Sequence, residues 1–427
     1  MTTKELHNLF IGSNGVTTDS RNCPKGSIFF ALKGATFDGN NYATTALEKG
    51  CSYAIVDRMV GTDKRLIQVD DVLTALQDLA RYHRSKFDIP VIAITGTNGK
   101  TTTKELTNAV LRRKYNVLCT QGNLNNHIGV PLTLLSMRPD HDIAIIEMGA
   151  NHPGEIATLC GIANPNYGLI TNVGKAHLEG FGNFMGVIKT KSELYRHLEK
   201  CHGKVFVNSE NQFLMTALNG YDNIVNYDSS SISMIPGKTM VTYRWPRGIV
   251  ETHICGDYNY ENILAALTIG EHFKISLGDM HQAISEYVPS NNRSQITKTA
   301  KNTLIVDAYN ANPTSMTASI RNFSRLDCSK SLKVAILGDM LELGTESVSE
   351  HRTMVEMLRN SRIEKMILVG REFGAALEGI HHSAETIQHF STREELEQML
   401  QRNPITNATI LIKGSRGMAL EKLISLL

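Results

Sequence analysis

The sequence predicts an α/β protein of three domains: a small mixed α/β N-terminal domain, a central domain on a mainly parallel sheet, and a C-terminal Rossmann-like doubly wound domain. Three observations lead there. The chain has 427 residues, too many for one ordinary domain. From Pro90 onward, short apolar runs rich in β-branched residues alternate with helical patterns, as in a parallel sheet with crossover helices. A second such alternation begins near Ala300.

The first 86 residues hold strand candidates at Ser27–Leu32 and Ser52–Val56, a helical spacing at Val72–Lys86, and many Gly, Asn and Asp turns, as a binding module often does. The central domain, 87–299, opens with Val91–Thr95, a continuous apolar run that suits a strand buried on both faces. A helix follows from Lys100 to Arg113. Further strands are expected at Asn116–Thr120, Asp142–Glu147, Tyr167–Thr171 and Lys204–Asn208. Val241–Ile254 reads as antiparallel strands at the edge of that sheet, and Asp257–Phe273 as a helix. In the third domain, 300–427, strands are expected at Thr303–Asp307, Leu332–Leu337, Lys365–Val369 and Thr409–Ile412, each followed by a helical segment, in a smaller sheet. Thr392 and Glu395 have capping-box spacing.

Composition narrows the function. Apolar residues make up 41% and charged residues 20%, as in a soluble globular protein. A net charge of +2 without a Lys/Arg run argues against nucleic-acid binding. Met1–Phe10 lacks the basic and apolar regions of a signal peptide, and no apolar stretch approaches the ~18 residues that span a membrane. The seven cysteines are scattered and form no C-x-x-C pair, which suits reduced thiols in a cytoplasm rather than a disulfide framework or zinc site. A cytoplasmic monomer is expected.

Thr95-Gly-Thr-Asn-Gly-Lys-Thr-Thr-Thr103 lies between a buried strand and a helix, the setting of a phosphate-binding P-loop. Gly96 and Gly99 let backbone N–H groups approach phosphate oxygens, and the helix N-terminus adds partial positive charge. Lys100 can reach the terminal phosphates of ATP, and the Thr101 hydroxyl can ligate Mg²⁺. The standard motif is broken, because Ile94 stands where its first glycine should be. Glu147 ends an apolar strand, where a carboxylate points into the crevice at the C-terminal edge of a parallel sheet.

The loop resembles the variant P-loop of Mur ligases and folylpolyglutamate synthetases. Further matches follow in order: Asn123-Leu-Asn-Asn-His-Ile-Gly-Val-Pro131, Glu147-Met-Gly-Ala-Asn-His-Pro-Gly-Glu155, Thr171-Asn-Val-Gly-Lys-Ala-His177, Lys189-Thr-Lys-Ser-Glu-Leu194, Gly256-Asp-Tyr-Asn-Tyr-Glu-Asn262, Asn292-Arg-Ser-Gln295 and Asp307-Ala-Tyr-Asn-Ala-Asn-Pro313. Within the Mur ligase family, the second and last resemble the member that acts on D-alanyl-D-alanine. The D-N-P-R motif of the diamino-acid-adding member is absent.

The resemblance implies an ATP-dependent ligase whose central domain is a P-loop ATPase and whose first domain binds a UDP-sugar. It would join D-alanyl-D-alanine to UDP-N-acetylmuramoyl-tripeptide through an acyl phosphate. Gly96, Thr97, Asn98, Gly99, Lys100, Thr101 and Thr102 would hold the phosphates, with two Mg²⁺ ions ligated by Thr101, Glu147, His177 and a carbamylated Lys191. Lys189 is the rival position for that modification, and Lys175 a more distant one. Lys100, Glu147, His177 and Lys191 would form the catalytic set. Asn262 would bond adenine, Arg293 phosphate and Asp307 ribose, with Asn310 near the nucleotide. Asn125 and Asn126 would contact substrate. Ser20 and Arg21 either contact the uridine diphosphate or form a surface turn. Arg416 would approach an anionic peptide group, and Gly338–Gly344 is either an active-site rim loop or a structural turn. Another Mur ligase, a folylpolyglutamate synthetase-like enzyme and a non-ligase P-loop ATPase are the alternatives.

Overall fold

Short runs of aliphatic and β-branched residues build four sheets in the computed structural model, which describes residues 1–289, 293, 295–328 and 331–427. The first sheet is parallel, β1 (Val16–Thr17), β2 (Ile28–Phe30), β3 (Tyr53–Val56) and β4 (Leu66–Gln68), in sequential order. The helix Val72–Arg84 follows, its N-terminus capped by the Asp71 carboxylate, which accepts from the Thr74 N–H.

The second sheet holds β5 (Val91–Thr95), β6 (Val117–Cys119), β7 (Ile143–Glu147), β8 (Tyr167–Ile170), β9 (Lys204–Asn208) and β10 (Ile224–Tyr227). They run parallel in the order β10-β9-β8-β5-β7-β6. Every residue of β5 and β7 is buried. Alternation explains why: Ile92, Ile94, Ile143 and Ile145 join the core under the helices Lys100–Leu111 and Tyr260–His272. Val91, Ala93, Ala144 and Ile146 join the core on the opposite face, with Leu134, Ile156 and Leu159. A strand dry on both faces is a continuous apolar run, which is why both were readable.

The third sheet corrects an expectation. β11 (Ser233–Met234), β12 (Met240–Trp245) and β13 (Gly248–Cys255) do not extend the parallel sheet but form an antiparallel sheet of their own. β13 alternates exposed and buried residues along most of its length. Its dry face packs on the helix Leu277–Glu286, where Tyr243 is fully buried, so it has no need of a neighbour in the larger sheet.

The fourth sheet contains β14 (Gln295–Lys298), β15 (Thr303–Asp307), β16 (Leu332–Gly338), β17 (Lys365–Val369), β18 (Ile387–Phe390) and β19 (Ala408–Lys413), in the order β14-β15-β19-β16-β17-β18. Only β14 is antiparallel. This sheet has six strands like the central one, not fewer. β19 leads into the 3₁₀ turns Arg416–Met418 and Leu420–Leu426 rather than an α-helix. Thr392 caps its helix as expected, but Glu395 reaches back to the N–H of Ser391 instead of closing the box on Thr392. Asn292 and Ser294, from the expected Asn292–Gln295 motif, lie outside the described residues. Among the described residues no helix is long and apolar enough to cross a membrane.

Candidate active site

A cleft of about 970 Å³ opens where the central sheet's C-terminal strand ends face the fourth sheet. Central residues Lys100, Glu147, His177 and Asn262 line it from one side, and Asp307 and Lys413 from the other. Thr97, Asn98, Gly99, Thr102, Asn125, Asn126, Arg293 and Asn310 also border it.

The loop after β5 is held on two sides. A Cβ on Gly96 (φ 144°) would fall 2.0 Å from the Thr171 hydroxyl, and one on Gly99 (φ 78°) 2.4 Å from the Asn262 carboxamide oxygen. Only glycine fits either place. The Asn98 N–H donates to Asn172 Oδ1 at 3.0 Å, and the Thr97 N–H to the Asn172 carbonyl at 2.9 Å. The Lys100 ammonium donates to the carbonyls of Gly96 (2.8 Å) and Thr97 (2.9 Å). Burial lowers its pKa to about 8, the Glu147 charge opposing and the Arg293 charge reinforcing that shift.

Glu147, 1% exposed, is the buried carboxylate of the site. Its Oε1 accepts from the Thr101 hydroxyl (3.1 Å) and the Asn125 amide (2.8 Å). Its Oε2 is buried without a hydrogen-bond partner, 3.9 Å from the Lys104 ammonium. An orphaned carboxylate oxygen beside a threonine hydroxyl at a cleft wall suits a hard divalent cation. Among the described residues no group of three or more His, Cys, Asp or Glu side chains converges as a ready metal cluster.

His177, in the left-handed region (φ 51°), follows β8 and bonds the Glu342 carboxylate through Nδ1. Burial lowers its pKa; Glu342 opposes the shift, and the charges of Lys100 and Lys191 add to it. Lys191 ends the helix Phe184–Lys191 and is 2% exposed, donating to the Ala150 carbonyl at 3.2 Å. Burial first, then the Lys100 charge, holds its amine well below the usual lysine range. Lys189 on the same helix is exposed, and Lys175 pairs with Glu350. The structure thus joins Thr101 to Glu147 directly, and sets His177 and Lys191 within electrostatic reach of Lys100.

The nucleotide-side residues are similarly anchored. Asn262 Oδ1 accepts from the Thr103 hydroxyl (3.0 Å), and its amide donates to Asn259 Oδ1 (2.9 Å). The Asp307 carboxylate accepts from Ser319 (3.1 Å) and Lys413 (2.6 Å). The Arg293 guanidinium lies 3.6 Å from the Tyr309 ring centroid, with Arg416 over the same ring at 5.5 Å. Asn310 borders both the main cleft and a pocket of about 90 Å³ beside it, and Arg416 borders the latter. The Gly338–Gly344 segment contributes Leu341 and Glu342 to the lining of that smaller pocket and none of its residues to the main cleft.

Two expected substrate residues stand apart. Ser20 and Arg21 do not line the cleft; Arg21 turns its guanidinium onto Asp19 at 2.9 Å and its side chain is 89% exposed. Three residues have side-chain roles that the sequence does not show: Lys104, and Lys413 and Asn312, which lie in segments noted for other residues. Lys104 lies one turn beyond Thr101, a spacing that puts both on one helix face. Lys413 ends β19 directly opposite Asp307 at the end of β15, a register no single strand reveals.

Comparison with known proteins decides the family. Residues 13–84 match the Mur ligase family catalytic domain, 94–270 the Mur ligase middle domain, and 292–416 the Mur ligase glutamate ligase domain. The UDP-N-acetylmuramoyl-tripeptide--D-alanyl-D-alanine ligase of Bacillus subtilis is 34% identical over 96% of this chain and 92% of its own. The chain belongs to the Mur ligase family. The Escherichia coli ligase of the same name is 32% identical over 98% of this chain and 95% of its own. Among solved structures, MurF from Acinetobacter baumannii superposes with a TM-score of 0.86 at 32% identity, covering 99% of this chain and 98% of that one. MurF ligase from Thermotoga maritima in complex with ADP gives 0.83 at 25% identity, over 98% of this chain and 97% of that one. A folylpolyglutamate synthase from Mycobacterium tuberculosis shares the fold at 0.62 and 14% identity, covering 83% of this chain and 94% of that one. The expected α/β class and three-domain build of a Mur ligase are met.

Proposed function

We propose that this protein joins D-alanyl-D-alanine to UDP-N-acetylmuramoyl-tripeptide, with ATP cleaved to ADP and phosphate, in peptidoglycan precursor synthesis. The observation that carries this reading is the whole-chain similarity to relatives named for that reaction, at 34% identity over 96% of the chain for one of them. The cleft supports it, because phosphate-loop and carboxylate residues face Asp307 and Lys413 across one opening.

A carboxylate does not react with an amine until one of its oxygens is made a leaving group. In the proposed sequence the tripeptide carboxylate takes the γ-phosphoryl group of ATP, giving an acyl phosphate and ADP. The dipeptide amine then attacks the acyl carbon, the amide C–N bond forms as the C–O bond to the phosphoryl group breaks, inorganic phosphate leaves with that bridging oxygen, and the amine nitrogen gives up a proton. The barrier is the meeting of anions, so the chain's task is electrostatic preorganisation.

We assign the backbone of Gly96, Thr97, Asn98 and Gly99, with Lys100 and Thr102, to the phosphates. Arg293, Asn262, Asp307 and Asn310 complete the nucleotide side; Lys413 keeps the Asp307 carboxylate aimed. Asn125, Asn126 and Arg416 serve the peptide substrates, and Ser20 and Arg21 serve the uridine diphosphate from the first domain. Mg²⁺, held by Thr101, Glu147, His177 and modified Lys191, would neutralise charge that develops on phosphate oxygens. The orphaned Glu147 Oε2 supports one such ion. The buried, weakly basic Lys191 amine supports carbamylation: its nitrogen adds to the carbon of CO₂ and releases a proton, leaving an anionic oxygen ligand. Exposed Lys189 lacks that environment.

We further assign 1–86 to UDP-sugar binding, 87–299 to ATP binding and 300–427 to the ligase partner domain. Cytoplasmic residence is supported by the nucleotide substrates and by seven unpaired cysteines. We also assign it a monomeric state. The decisive assay measures ADP release with each substrate omitted in turn. Release should require both D-alanyl-D-alanine and the UDP-muramoyl tripeptide; release that ignores the dipeptide would sink the assignment.

A further inference from the structure

The loop Gly338–Gly344 of the C-terminal sheet rests on the loop that follows β8 of the central sheet. The Glu179 N–H donates to the Glu342 carbonyl at 3.3 Å, Gly344 packs on Glu179, and the Glu342 carboxylate bonds His177 Nδ1. Both members of that side-chain pair are non-glycine residues in the left-handed region, His177 at φ 51° and Glu342 at φ 63°. Residues rarely hold that conformation unless their surroundings impose it, and such positions concentrate at functional sites. The pair also borders the smaller pocket, next to Arg416.

An imidazole has two nitrogens, and the bond made by one decides what the other can do. With Nδ1–H donated to a carboxylate, Nε2 carries a lone pair and is free to ligate. Among the described residues Nε2 of His177 has no hydrogen-bond partner, and His177 lines the main cleft. The carboxylate that fixes this tautomer comes from the other side of the seam. We infer that Glu342 is a positioning residue that turns His177 Nε2 toward the metal ion, so that this ligand is set only when the C-terminal domain is docked. The inference rests on reading His177 as a metal ligand. It adds a coupling: phosphoryl transfer in an undocked molecule would lack an aimed ligand.

The test uses Mn²⁺ as the probe, titrated by electron paramagnetic resonance into the full-length protein loaded with a non-hydrolysable ATP analogue. His177→Ala reports on the ligand reading and Glu342→Ala on the inference. Loss of such an outer partner weakens metal binding ~10–100-fold, so Glu342→Ala should fall in that range. Glu342→Gln, whose amide oxygen still accepts from Nδ1, should recover part of the loss. In the His177→Ala background, Glu342→Ala should cost nothing further. Glu350→Gln, which weakens the same seam at Lys175, should leave Mn²⁺ affinity in place. Unchanged affinity in Glu342→Ala, with His177→Ala impaired, overturns the inference alone. Unchanged affinity in His177→Ala overturns the ligand reading and the inference with it. An equal loss in Glu350→Gln would assign the effect to docking rather than to aim, and would also overturn it.

Discussion

A lysine ammonium at 2% exposure must find acceptors, and Lys104 finds the Thr120 carbonyl at 2.8 Å, with Glu147 Oε2 at 3.9 Å. Lys104→Met keeps the bulk and leaves that carbonyl and the carboxylate less satisfied. We expect a loss of about 1–3 kcal/mol in denaturant unfolding; an unchanged midpoint would mean water takes the ammonium's place. Lys100→Ala and Glu147→Ala should stay folded and lose at least ~10²-fold in turnover, as removal of one preorganised electrostatic group does. Near-normal turnover in either would remove it from the catalytic set. Lys191→Ala should lose activity and regain part of it with acetate, which can occupy the vacated space with an anionic oxygen, whereas the exposed Lys189→Ala should show no such response. Rescue of both, or of neither, would count against carbamylation. Glu147 was legible in the sequence because a carboxylate ended an apolar run. Lys104 and Lys413 were not, because their partners are a loop carbonyl and a neighbouring strand end that only the fold brings near.

Elements were readable in proportion to how dry they are. β5 and β7 are almost wholly apolar and β9 has a buried Val-Phe-Val centre, so all three stand out, while β10, β14 and β18 are short, mostly half-buried and mixed in pattern, and give no period to follow. Val241–Ile254 reads as strands on the edge of the larger sheet, whereas β12 and β13 sit with the unexpected β11 in a sheet of their own, since alternation reports a dry face and not what covers it. What covers it includes His281, 6% exposed, hydrogen-bonded to the Tyr243 hydroxyl at 2.9 Å and tilted against Trp245 with ring centroids 4.0 Å apart. Burial lowers the His281 pKa from 6.5 to about 4. The unfolded chain therefore takes up a proton first. This contribution to stability is complete above about pH 6.5 and is lost as pH falls toward about 4, on the order of 2–3 kcal/mol. Trp245 is the single tryptophan of the chain, so its fluorescence reports unfolding beside the titrating ring. His281→Gln should remove part of the acid sensitivity; an identical pH profile would place that sensitivity elsewhere.

At the scale of the whole molecule, the order of motifs along the chain foretold a nucleotide cleft between the second and third domains, but not the contacts that close it. Asn98 of the phosphate loop and Asn312 exchange amide hydrogen bonds across the seam, at 2.8 and 3.4 Å. Asn312 also caps the helix Pro313–Arg325. Asn312→Ser keeps a capping oxygen and removes the reciprocal pair. The variant should melt close to the parent while small-angle scattering shows a larger radius of gyration; an unchanged radius would deny the pair any share in closure. The other joint is of a different kind. The helix Val72–Arg84 follows the first sheet, yet Gln77, Arg81, His83 and Arg84 donate to the carbonyls of His127, Gly161, Met137 and Ala163 in the central region, at 3.0 to 3.1 Å. The place where the chain changes character near residue 86 is thus not a place where the protein can be cut. A fragment ending there would carry four donors without their acceptors and a helix face stripped of its cover. Anyone dissecting the molecule for expression would do better to leave the first two units together and part the chain ahead of β14, which belongs to the fourth sheet.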